Sequence, residues 1–81
     1  MPIERFVWTA HAKDRCARRL LDRSAVERAI GAGHAGRHLN RGDADWLVHG
    51  LLADGRRVEV VYDHPLGNDH KAVLIVSVWD F

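Results

Sequence analysis

The stretch Ala72–Trp79, AVLIVSVW, restricts the fold more than any other part of the chain. It is β-branched and apolar almost throughout, with Ser77 as its only polar interior position. A short, continuously apolar run of this kind reads as a strand covered on both faces, and so as a central strand of a sheet. Its uninterrupted part, Ala72–Val76, is far shorter than the roughly 20 residues that cross a bilayer. The other segments must therefore supply strands on either side and a helical layer. With 81 residues the chain reads as one domain, 1–81, with room for one core and one site.

The partner strands are legible just upstream. Asp45–Ala53 and Arg56–Asp63 read as two strands joined by Asp54-Gly55, a dipeptide that favours a two-residue type I′ hairpin. That turn sets Leu51 opposite Val58, His49 opposite Val60 and Leu47 opposite Tyr62, on a face that meets the helices. Trp46, Val48, Gly50 and Leu52 then share the open face with Arg57, Glu59, Val61 and Asp63. A slip of one residue would exchange the two faces. Phe6, Val7 and Trp8 form a first strand or an extended lead-in against the sheet.

Between these lie two helical patterns. In Thr9–Leu20, Thr9 is a candidate N-cap and Ala12, Cys16 and Leu20 recur at four-residue steps as a buried stripe. Ser24 with Glu27 three residues on reads as a capping box opening a second helix, with Val26, Ala29 and Ile30 on its apolar side and Gly31 and Gly33 ending it. The order is strand, two helices, then three or four strands. It predicts an α+β domain with two helices on one face of a mainly antiparallel three- to four-stranded sheet.

Net charge is +1 with histidines neutral, so phosphate binding would have to come from a local cluster. On the first helix His11, Arg15 and Arg18 fall on one side, near an N-terminus that favours anions. Arg15, Arg18 and Arg19 are otherwise a solvated face. Cys16 is the single cysteine, which excludes an internal disulfide and a cysteine-based zinc site. It reads as a small core residue. His34, His38, His64 and His70, with Asp63 and Asp69, match no recognised zinc spacing, so no metal or other cofactor is expected. Without a secretory signal or membrane span, the expected setting is the cytoplasm.

The opening TAHAKDR, from Thr9 to Arg15, the Ser-led second helix, the strand DGRRVEVVYD and the terminal VSVWD together resemble a small bacterial family of unknown function grouped with the RelE/ParE-type toxins. The resemblance spans most of the chain. It implies an α+β fold and, for enzymatic members, metal-free RNA cleavage in which the 2′-hydroxyl attacks the adjacent phosphorus and leaves a cyclic phosphate. Members of the ParE type instead bind gyrase. Such cleavage needs a base, an acid and cations for the phosphorane charge. His11 suits acid or base work, Arg15 a bidentate phosphate contact and Arg57 a second clamp. Tyr62 is a proton donor on the core-facing side, and Ser77 binds phosphate or satisfies a backbone group. Arg18, Arg19 and His49 are candidate substrate contacts, although His49, between apolar residues beside Val60, reads more readily as a hydrogen-bonded core histidine than as a catalyst. The expected partners are RNA, or a protein such as a cognate antitoxin, an immunity protein or gyrase. RNA-cleaving members often carry a C-terminal Tyr or His, where this chain has Trp79-Asp80-Phe81.

Overall fold

A computed structural model describes residues 3–81. The elements run β1 (Arg5–Trp8), α1 (Ala10–Arg19), α2 (Arg23–Gly33), a single 3-10 turn (His34–Gly36), β2 (His38–Leu39), β3 (Trp46–Leu51), β4 (Arg57–Asp63) and β5 (Ala72–Asp80). The domain is α+β. The sheet has five strands in the order β1-β5-β4-β3-β2. β1 pairs parallel to β5, and the other three pairings are antiparallel. The sheet is thus wider than the three or four strands expected, because β1 closes one edge and the two-residue β2 the other. Both edge strands are short, which limits the unpaired backbone offered to other chains.

β5 lies between β1 and β4, as its apolar run predicts, but it does not run straight. Adjacent β4 residues Val61 and Tyr62 stand opposite Ser77 and Ile75, which leaves Val76 as an extra residue. This bulge reverses the alternation along the strand. Val73, Ile75 and Val78 enter the core. Ser77 and Trp79 fall on the other face, whereas a straight strand would have put Ser77 among the core side chains. The Thr9 hydroxyl donates to the Val76 carbonyl at 3.1 Å and accepts from the Ala12 amide at 3.1 Å. The N-cap of α1 is therefore pinned to the bulge.

Both helices cover one side of the sheet. Ala12 and Cys16 of α1 and Val26 and Ile30 of α2 meet Val48, Val58, Val60, Tyr62, Val73, Ile75 and Val78 in one buried cluster. Burial raises the Cys16 thiol pKa and keeps it a core residue. Leu20 does not extend that stripe. It takes a left-handed C-cap conformation with φ 54° and is 82% exposed, while Leu21 turns into the core. Arg56 donates to the Arg19 and Leu20 carbonyls at 2.7 and 2.8 Å, satisfying acceptors that the helix end leaves free. The N-cap of α2 is Asp22, whose carboxylate accepts from the Ser24 amide. Ser24 lies inside the helix, and Glu27 accepts from Trp8 Nε1 instead of closing a capping box.

The β3–β4 register differs from the expected one by a single residue: Gly50 faces Val58, Val48 faces Val60 and Trp46 faces Tyr62. The loop is the reason. Leu52 N–H donates to the Arg56 carbonyl and Gly55 N–H to the Leu52 carbonyl, so the loop has three residues, Ala53-Asp54-Gly55. Gly55 has φ +90°, the left-handed position that such three-residue loops require. As a result Val48 and Gly50 face the helices. Leu47, His49 and Leu51 turn to the outer face with Arg57, Glu59 and Val61.

Candidate functional site on the outer sheet face

The register places His49 opposite Glu59, and Glu59 opposite Trp79, across three neighbouring strands. His49 Nε2 lies 3.2 Å from Glu59 Oε1, with half of the imidazole side chain open to solvent. A carboxylate only accepts, so Nε2 carries the proton and Nδ1 of the neutral ring presents a lone pair. Phe81 stands edge-on to His49 with ring centroids 5.8 Å apart, fixed where its amide donates to the Arg57 carbonyl. His49, Leu51, Arg57 and Phe81 line an open groove of about 520 Å³. This groove brings together an imidazole, a guanidinium and an aromatic ring, and the Glu59 carboxylate reaches the imidazole from the neighbouring strand.

The remaining residues singled out from the sequence are distributed around it. Arg15 places its guanidinium 3.8 Å from the centroid of the Trp79 ring, a cation–π contact at the β5 side of the same face. His11 is exposed in the first turn of α1, one turn before Arg15. Ser77 is buried opposite Val61, and its hydroxyl has no hydrogen-bond partner among the described residues. Arg18 pairs with Asp14 at 2.9 Å, and Arg19 lies 3.7 Å from Asp80. Tyr62 is fully buried on the helix side and hydrogen-bonded to His34, so it does not join Arg57 and Ser77.

His49 stands on β3, two places from β5 in the sheet, whereas His11 stands in the first turn of α1. The structure therefore divides the expected site in two: His49 with Arg57, and His11 with Arg15 and Trp79. Glu59 and Phe81 join this candidate site without being singled out by the sequence. The signal for Glu59 was available, since the correct hairpin register makes it the cross-strand partner of His49.

No helix among the described residues is long and apolar enough to cross a membrane. Comparison with family models, with curated proteins and with solved structures returns no match.

Proposed function

We propose that the outer face binds single-stranded RNA and cleaves it by metal-free transesterification, in a cytoplasmic, toxin-like domain of the RelE/ParE kind. The solvent-open His49–Glu59 pair beside Arg57 carries this reading. His49 Nδ1 takes the proton of the 2′-hydroxyl, and Glu59 stabilises the imidazolium that forms. The 2′-oxygen bonds to phosphorus, the P–O5′ bond breaks, and the 5′-oxygen takes a proton from water in the open groove. The products are a 2′,3′-cyclic phosphate and a 5′-hydroxyl. Arg57 offers a planar fork to the non-bridging oxygens. Trp79 and Phe81 provide faces on which bases stack, as in other single-strand binders. His11 and Arg15 hold a neighbouring phosphate.

A mixed RNA pool incubated with chelator present tests this directly. The wild type should release cyclic phosphates, and His49→Ala should lower the rate by roughly 10²–10⁴-fold, the usual share of an acid–base group. His11→Ala should instead raise KM with kcat nearly kept. The opposite split, with His49→Ala silent and His11→Ala inactive, would move the chemistry to α1. If the wild type does not cleave at all, a second reading takes over. Leu51, Phe81 and Trp79 are 71%, 69% and 41% exposed on this same face, which favours binding a protein partner such as an antitoxin, an immunity protein or gyrase.

A further inference from the structure

A second concave site lies on the helix side of the sheet, away from the outer face. It is a cavity of about 400 Å³ lined by His34, Arg37, His64 and His70 together with Ile3, Gly31 and Ala35. No carboxylate lines it. Asp69, the acid nearest in sequence, is held by Arg5 through two hydrogen bonds of 2.7 and 2.8 Å. Asp63 accepts from the Asp45 amide. Arg37 rests its guanidinium 4.2 Å from the centroid of the Trp46 ring and donates Nη1 to the His34 carbonyl. Its Nε is buried with no hydrogen-bond partner. A buried, charged donor without an acceptor is costly and calls for one.

We propose that this cavity binds a phosphate group, either as the free ion or as the terminal phosphate of a monoester. Three imidazoles, a guanidinium and no carboxylate make an environment for an oxyanion. His34, His64 and His70 form no three-residue metal-holding group.

The hydrogen bonds also fix which nitrogens are free. Tyr62 OH lies 2.6 Å from His34 Nδ1. Burial pushes the Tyr62 pKa up to about 12, so its hydroxyl keeps its proton and donates it to neutral His34. That leaves His34 Nε2 as the N–H. His64 Nε2 lies 2.8 Å from the His70 carbonyl and must donate to it. Its Nδ1 is then a lone pair in the neutral ring and becomes a donor only as imidazolium.

The His34 and His64 rings meet edge to face at 4.4 Å. Burial first, then the charges of Arg37 and His64, lower the His34 pKa. An anion between them would reverse the two charge effects. The groups facing the site are His34 on the 3-10 turn, Arg37 after it, Tyr62 from β4, and His64 and His70 from the β4–β5 loop. Binding should therefore tighten as pH falls through the histidine range of about 8 to 5.

Titration of the full chain with inorganic phosphate, followed by the imidazole ¹⁵N signals, tests the site. Phosphate at pH 6 should shift His34, His64 and His70, with affinity at least tenfold weaker at pH 8. Parallel titrations with adenosine monophosphate and adenosine separate the sources. Tighter binding of the monophosphate with none of adenosine indicates a phosphate monoester, and equal affinity for phosphate indicates the free ion. Arg37→Gln should weaken binding at least tenfold with the fold intact by amide dispersion. His64→Gln should also weaken phosphate binding at pH 6, and it decides the matter if the Arg37 variant does not fold. Phosphate shifts confined to His11 or His49, no binding of either phosphate compound, or unchanged affinity in a folded Arg37→Gln or His64→Gln protein would overturn the assignment.

Discussion

Gly50→Ala is the sharpest test of the hairpin register that creates the outer-face site. In the structure a Cβ on Gly50 would lie 2.5 Å from the Ala29 Cβ and 3.4 Å from Val58 Cγ2. Ordinary carbon–carbon contact is about 3.5–4.0 Å, so α2 and β3 would have to part by about 1 Å. Overpacking of this kind costs about 1–3 kcal/mol. The added methyl also restricts the unfolded chain, which returns roughly 0.5–1 kcal/mol. The net loss should centre on about 1 kcal/mol, within roughly 0–2.5 kcal/mol, or a Tm lowered by roughly 4–8 °C at the centre for a domain of this size. Urea and thermal denaturation measure it. Ala29→Gly alone should cost about 1 kcal/mol in helix propensity. Combined with Gly50→Ala it should cost at least about 1 kcal/mol less than the sum of the two, because it removes the opposing methyl. With the type I′ register Gly50 would face outward. Additive single and double variants would therefore refute the close approach and return His49 to the core side.

Asp22→Ala should cost about 1 kcal/mol as loss of the α2 N-cap, with Ser24→Ala costing clearly less; equal denaturation midpoints for the two variants would refute the assignment. Gly55 has φ +90°, so Gly55→Val should destabilise by more than about 1 kcal/mol, and a neutral result would remove the three-residue loop. Hydrogen bonds from Arg5, followed by the Lys71 amide, hold the Asp69 carboxyl down to about 2. The folded pKa lies below the unfolded one, so its contribution to stability is complete above about pH 4 and disappears as pH falls through about 2. In Arg5→Ala the Asp69 titration followed by NMR should move up toward the usual carboxylate range; an unmoved midpoint would exclude the pairing.

What the sequence reveals is what short-range pattern determines. The apolar run at 72–79 identifies a central strand because no other environment covers both its faces. Thr9, Ala12 and Cys16 locate α1 because cap and stripe lie within two turns. The hairpin is recognisable from Asp54-Gly55, and Gly55 has the positive φ expected. The loop length is not recognisable, since Asp-Gly serves a two-residue turn and also ends a three-residue one. That single ambiguity turns every β3 side chain over and decides whether His49 is core or site. The Val76 bulge is silent in sequence for a different reason. It depends on β4 and on Thr9, which lies 67 residues away. Ser24 and Asp22 are both good caps, and the choice between them rests on where Leu21 must turn into the core. Arg56 looks like the polar start of a strand, and only the tertiary fold brings it to the end of α1.

The place of β5 in the sheet also governs how the chain reaches its fold. The strand that separates β1 from β4 is the last of the five in sequence, so β1 has no neighbour in the sheet until residues 72–80 arrive. The β3–β4 hairpin and the two helices can form locally, but the loop that joins β1 to β5 closes across nearly the whole domain. Loop-closure entropy must be met before that pairing returns any energy, which makes the final docking the slow step and gives the domain the kinetics of a non-local fold. During synthesis the backbone edges of β1 and β4 that face each other across β5 stay unpaired until that strand emerges. Any arrest upstream of it would leave a chain whose sheet cannot close and whose open β4 edge is free to pair with another molecule.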